Sequence, residues 1–192
     1  MMQEFSFKES SLKGAYIITP FFSEDTRGGL LKDYNESIFK ENGINYALKE
    51  TFYTISKKGV IRAIHFQLIK QQPKLVRCIK GHIYDVIVDL RPDSPTFTKW
   101  EGYDLTEENQ LEILIPEYFG HGYLVIEDSI VSYKCAQEFF GDGDGGIMFN
   151  EPAIGIDWPF HKIGGIENMI ISDKDKSLMT MNDYLMNMKR QK

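Results

Sequence analysis

The sequence predicts an all-β protein, a sandwich or barrel built of many short strands. Three observations carry this. Short apolar runs recur along the chain, each bounded by Gly, Pro, Asp or Asn. Stretches with helical spacing of apolar residues are few. The chain holds 13 Phe, 10 Tyr and 16 Gly against 2 Trp, a composition that leans towards β structure.

Taken in order, Gly14–Ile18 reads as a short strand closed by Pro20, and Ser23–Gly29 as a polar turn. Asn35–Glu41 fits a short helix before the Asn42-Gly43 turn. Strand-like runs then follow at Val60–Phe66, Leu75–Lys80, Ile83–Leu90, Thr98–Leu105, Leu111–Ile115, Gly122–Glu127 and Ile130–Ala136. Lys80-Gly81 joins two of them as a hairpin. Ser172 is an N-cap with Asp175 at the third helical position, Lys176–Met188 is helical, and Lys189–Lys192 is a frayed basic end.

The 192 residues match the size of one domain, 1–192, long enough to bury a core without disulfides. A net charge of −6 argues against a general nucleic-acid binder. No run approaches the length a spanning helix needs, so no membrane partner is expected. The N-terminus has no apolar run behind a basic start, which argues against a signal peptide. Cys78 and Cys135 form no Cys-x-x-Cys pair and sit among apolar residues, which reads as reduced thiols of a cytoplasmic protein.

Several segments hold residues with chemistry. In VIRAIHFQ, strand periodicity puts Arg62 with Ile64 and Phe66, and His65 on the other face; only a bulge brings the two together. Asp85, Ile87 and Asp89 share one face of their strand, a mixture that suits the lining of a polar cavity. Lys74 opens a strand, as a solvated residue or as a phosphate contact at a cavity mouth. IPEYFGHGY is a compact loop, either a corner or a device that aims His121 inward. Tyr133 lies in a strand, where a satisfied core phenol is the plain reading. His65, His82, His121 and His161 offer no His-x-His pair, so spacing gives a metal site no support.

The blocks VIRAIHFQ, KLVRCIKGHIYDVIVDLRPDSPTF, LIPEYFGHGYLV, SYK and EPAIGIDWP run in order from Val60 to Pro159. In this the sequence resembles the dTDP-4-dehydrorhamnose 3,5-epimerase family. The resemblance implies a double-stranded β-helix, the cupin-like jelly roll, with short peripheral helices, one near the C-terminus. It implies a homodimer that acts on a nucleotide-linked 4-keto-6-deoxyhexose with neither metal nor organic cofactor. A C4 ketone acidifies the C3 and C5 hydrogens. Inversion then needs a base and an acid on opposite ring faces, and support for the enolate oxygen.

By this resemblance His65 is the base and Asp175 the carboxylate that orients it, with Asp173 a competing assignment. Lys74 steadies the enolate oxygen and Tyr133 is the acid. Arg62 binds phosphate, His121 and Asp85 line the pocket floor, and Arg27 lies on the nucleotide side. Trp158 and Pro159 keep a packing role. Departures from the family pattern fall at Arg62-Ala63-Ile64-His65, Arg27-Gly28-Gly29-Leu30, Glu50-Thr51-Phe52 and Glu138-Phe139. Glu50, Phe52 and Glu138 therefore mark an altered substrate periphery. The implied substrate is dTDP-4-dehydro-6-deoxy-D-glucose; the alternative is a single-centre epimerase, or one for a CDP- or GDP-linked sugar. A ketoisomerase would need a different acid/base set, and a binding barrel without turnover would not need both His65 and Tyr133.

Overall fold

The computed structural model describes residues 4–190. Among the described residues there are eleven strands: β1 Ser6–Glu9, β2 Tyr16–Thr19, β3 Phe21–Asp25, β4 Gly28–Lys32, β5 Glu50–Ser56, β6 Ile61–Gln67, β7 Lys74–Asp89, β8 Trp100–Thr106, β9 Glu112–Ile115, β10 Phe119–Cys135 and β11 Asp144–Gly146. Among the described residues three short α-helices accompany them, α1 Glu36–Glu41, α2 Asp173–Lys176 and α3 Met181–Arg190, beside three single 3-10 turns.

The architecture rests on two long strands. β7 and β10 pair antiparallel along their whole length, with register shifts between Val125 and Val131. At these shifts the ribbon divides its partners. Its Lys74–Arg77 and Ser129–Cys135 ends pair with β9 and β5, and β1 and β2 extend that layer. Its His82–Val88 and His121–Leu124 ends pair with β8 and β6, followed by β11. One ribbon thus runs through two layers, a cupin-like jelly roll. Between the layers lie Val76, Cys78, Ile83, Ile87, Ile113, Val125, Val131 and Tyr133. The outer face of the β8–β6 layer is covered by the C-terminal segment, through Ile147, Trp158, Ile163, Met181 and Tyr184. Phe39 of α1 and Tyr46 cover the other layer, against Ile18, Leu75 and Leu114.

Several expectations need correction. Lys80-Gly81 is no hairpin. Gly81 has φ +81, and a Cβ there would lie 2.2 Å from the Asp128 carbonyl oxygen, so glycine lets the two strands cross closely where the ribbon shifts register. Gly122–Glu127 and Ile130–Ala136 likewise belong to one strand, because the intervening polar residues form the irregularity opposite Gly81. Ser23–Gly29 spans a hairpin of β3 and β4, which pair only with each other. Phe119 onward is strand rather than loop. β1 and β11 carried no sequence signal that stood apart from their polar surroundings, whereas β5, ETFYTIS, is rich in strand-favouring Thr, Phe, Tyr and Ile and was missed. The C-terminal helix starts at Met181, after Thr180, whose Oγ1 accepts from the Asp183 N–H. Of the basic end Lys189–Lys192, the last two residues lie outside the described residues. α1 matches its expectation, with Asn35 Oδ1 accepting from Ile38 N–H at 3.1 Å. No helix among the described residues is long and apolar enough to cross a membrane.

Candidate active site

A cavity of about 330 Å³ opens between the two layers. His65, Arg62, Lys74, His121, Tyr133, Glu50 and Phe52 line it. The elements explain how they meet. β6 pairs His65 with His121 and Arg62 with Tyr123, so three steps on β6 oppose two on β10. That bulge turns Arg62 and His65 to one cavity, which regular alternation forbids. Gly122 makes the close approach possible: a Cβ there would lie 2.5 Å from that of Ala63. β6 belongs to one layer, while Lys74 and Tyr133 come from the ends of β7 and β10 in the other. His65 and Tyr133 therefore stand on walls supplied by different layers.

His65 is half-buried, and its Nε2–H donates to Asp175 Oδ2 at 3.1 Å. Asp175 is delivered by α2, a single turn capped by Ser172, whose Oγ accepts from the Asp175 N–H at 3.1 Å. Burial raises the Asp175 carboxyl, but the hydrogen bond and charge of His65, with Ser172 and the Ala63 N–H, bring it below the ordinary value. Asp173 faces outward and pairs with Lys176 at 2.9 Å, away from His65.

Tyr133 is buried, and its ring stacks on Phe52 with centroids 4.6 Å apart and planes within 10°. Burial, then the neighbouring Tyr123 and Asp85, push its phenol well above the ordinary value, so it is protonated at neutral pH. Burial lowers the Lys74 ammonium, opposed by Cys135, Asp144 and Asp85. Among the described residues Lys74 makes no salt bridge. Arg62 Nε donates to Ser56 Oγ at 3.2 Å. Arg62 and His65 also border an adjoining groove of about 420 Å³ that runs past Ile170 to Asp175.

Three expected residues sit elsewhere. Asp85 does not line the cavity. It lies fully buried beneath His121, whose Nε2–H donates to it at 2.7 Å. Asp89, on the same face, instead caps the next loop by accepting from Arg91, Ser94 and Thr96. Glu138 is replaced at the cavity wall by Phe139, whose N–H donates to Glu50 Oε2 at 2.8 Å; one step along an irregular segment exchanges which side chain points in. Arg27 is exposed at the tip of the β3–β4 hairpin, paired with Asp25, and touches no part of this cavity.

Sequence reading missed Thr54, Gln67, Gln72 and Asp144 in the lining. Gln67 ends VIRAIHFQ and was readable; its Oε1 accepts from Phe140 N–H at 2.8 Å, while its buried Nε2 has no partner among the described residues. The others depend on long-range pairing and had no local signal.

A base-like His–Asp pair facing a buried phenol and a desolvated amine marks an enzyme of proton transfer, on a barrel of cupin type. Residues 9–183 match the family model described as dTDP-4-dehydrorhamnose 3,5-epimerase. The dTDP-4-dehydrorhamnose 3,5-epimerase of Methanothermobacter thermautotrophicus is 45% identical over 92% of this chain and 94% of its own. The crystal structure of the Elizabethkingia anophelis enzyme of that name superposes with a TM-score of 0.86, at 36% identity, covering 93% of this chain and 97% of that one. The Legionella pneumophila dTDP-6-deoxy-D-glucose-3,5-epimerase, solved in complex with dTDP-4-keto-L-rhamnose, gives 0.87 at 31% identity, covering 93% and 94%. The chain belongs to the dTDP-4-dehydrorhamnose 3,5-epimerase family, and it is an isomerase.

Proposed function

We propose that the chain inverts C3 and C5 of dTDP-4-dehydro-6-deoxy-D-glucose, giving dTDP-4-dehydro-L-rhamnose. The observation that carries this is the placement of His65 and Tyr133 on walls from different layers of one cavity. His65 removes the proton next to the ketone, and Asp175 orients the ring and supports its charged form. Lys74 offers positive charge to the enolate oxygen. Tyr133 returns a proton to the other face. Arg62, between the cavity and the adjoining groove, suits the diphosphate, with the nucleotide extending beyond it. These steps use side chains alone, within one domain.

Arg27 fits a nucleotide-side role only in the site of a second copy, since it projects away from its own cavity. Phe22 and Leu30 on the same hairpin, and Tyr53 and Ile55 on β5, are exposed apolar surface that a homodimer would cover. The buried free thiols of Cys78 and Cys135 suit the cytoplasm. Light scattering at micromolar concentration tests the dimer, and a monomer would remove the Arg27 reading.

Proton NMR of the dTDP-linked 4-keto sugar in D₂O tests the reaction. Loss of both the C3 and C5 signals, with doubly inverted product, is expected. Exchange at one centre alone would make it a single-centre epimerase. Absence of exchange would overturn the substrate assignment, and the CDP- and GDP-linked sugars would then be run. Phe52 stacked on Tyr133, in the stretch that departs from the family pattern, favours that second reading.

A further inference from the structure

The β3–β4 hairpin is fixed at its root rather than along its length. Among the described residues its strands pair only with each other, so no sheet hydrogen bond sets its direction. Most of its side chains are exposed, Phe22 and Leu30 among them. A two-stranded hairpin standing alone is marginal. What aims it lies where it joins the barrel. One leg leaves β2 through buried Pro20. The other ends at Lys32, and Asp33 follows at once.

Asp33 Oδ2 accepts from Lys134 Nζ at 2.6 Å and lies 3.9 Å from the Arg77 guanidinium. Lys134 also donates to Glu112 Oε1 at 3.3 Å. Glu112, Arg77 and Lys134 stand on β9, β7 and β10, three adjacent strands of one layer. Their sequence neighbours Ile113, Val76 and Tyr133 face the core between the layers, so alternation puts the three charges on the outer face. None of the four groups lines the cavity. Lys134 and Arg77 are each 12% exposed and Glu112 is fully buried, so water and salt screen these ion pairs poorly. The root of the hairpin is thus tied to three strands through one carboxylate.

The lever is long. β4 spans 5 residues, roughly 17 Å of strand. A tilt of roughly 10° at Asp33 would carry the tip, where Arg27 stands, about 3 Å sideways. Displacements of that size remove a charge-assisted hydrogen bond altogether.

We propose that Asp33 is a positioning residue, which sets the angle of the hairpin that delivers Arg27 to the nucleotide side of a second copy's site. This rests on the readings of Arg27 and of the dimer given above. Asp33 touches no substrate and acts through Arg27.

The test is a double-substitution cycle in the full chain with dTDP-4-dehydro-6-deoxy-D-glucose. Each protein is held at a concentration where light scattering gives the oligomeric state of the unsubstituted protein. Arg27→Ala is expected to raise KM about tenfold. Asp33→Ala should raise it about fivefold with kcat falling by less than about twofold, and Asp33→Asn, which keeps an oxygen for Lys134, should raise it less. The double variant Arg27→Ala/Asp33→Ala should be no worse than Arg27→Ala, because one residue acts through the other. Amide hydrogen exchange over 21–32 should quicken in Asp33→Ala while β7 and β10 keep their protection. KM effects that multiply in the double variant overturn the proposal. So do hairpin amides that stay unmoved, or a loss of protection that spreads through β7 and β10 with kcat falling alongside. A tenfold rise in Arg27→Ala beside an unchanged KM in Asp33→Ala overturns the positioning role alone, whereas an unchanged KM in Arg27→Ala overturns the Arg27 reading and that role with it.

Discussion

Asp175 accepts a hydrogen bond from His65 at 3.1 Å although 110 residues separate them. The short helix α2 exists, in effect, to hold one carboxylate against a strand. Asp175→Asn should keep the fold and lower deuterium exchange about 100-fold or more, because the amide cannot support a charged imidazole. Asp173→Asn removes only an exposed pairing with Lys176 and should stay within about twofold. Sign and pH range follow from the lowered Asp175 carboxyl. A group depressed in the folded state contributes stability above its unfolded value and loses it as pH falls through the folded one. The melting temperatures of Asp175→Asn and the unsubstituted protein should therefore converge as pH drops below the ordinary carboxylate range.

His65→Ala should abolish exchange at both centres, because one base serves both. Tyr133→Phe should keep part of the exchange while losing inversion, since the enolate can be reprotonated from the face it was deprotonated on. NMR in D₂O separates the two quantities. Equal loss of exchange and inversion in Tyr133→Phe would sink this division of roles.

Phe52 fixes the plane of the Tyr133 ring, with centroids 4.6 Å apart. Removing it in Phe52→Ala gives up an aromatic pair worth about 0.5–1.5 kcal/mol and frees the phenol to tilt. Inversion kcat should fall about 2- to 10-fold, with exchange less affected. Phe52→Tyr should restore most of it, and steady-state rates of both variants decide the matter.

Glu112 on β9 is fully buried, and burial pushes its carboxyl up to about 8. Lys134 at 3.3 Å and Arg77 oppose this, while Asp33 reinforces it. One carboxylate oxygen has no partner among the described residues. A group raised in the folded state contributes stability at low pH and loses it as pH rises through the folded value. Glu112→Gln should therefore match the unsubstituted protein near pH 5 and exceed it above pH 8, by about 2–4 °C in Tm for each kcal/mol recovered. Thermal melts across that range, with a crossing in the opposite direction, would refute it.

Much of the core was legible because apolar alternation survives tertiary context. The strands around Val60–Phe66, Thr98–Leu105 and Leu111–Ile115 lie within a few residues of where the pattern put them. The Ser172 cap and Asp175 stand where local capping chemistry predicts. What stayed hidden depends on neighbours distant in sequence. Lys80-Gly81 has the chemistry of a turn, and only the strand running past it at Asp128 keeps it extended. Whether Arg62 and His65 share a cavity turns on a register shift against β10, which no periodicity reveals. Asp85 looks like a lining residue until His121 is placed above it.

The continuous ribbon of β7 and β10 has a consequence for how the enzyme comes into being. Lys74 and Tyr133 sit near one end of that ribbon and His121 near the other, and the Lys74 end faces Cys135 across the pairing. Every chemical group on it waits on the closure of one long-range pairing, a slow step because distant segments must meet before any contact repays the lost chain entropy. Turnover should therefore emerge late and all at once during refolding, with the last tertiary contacts rather than with the first β structure, and catalysis itself becomes a clock for the end of folding.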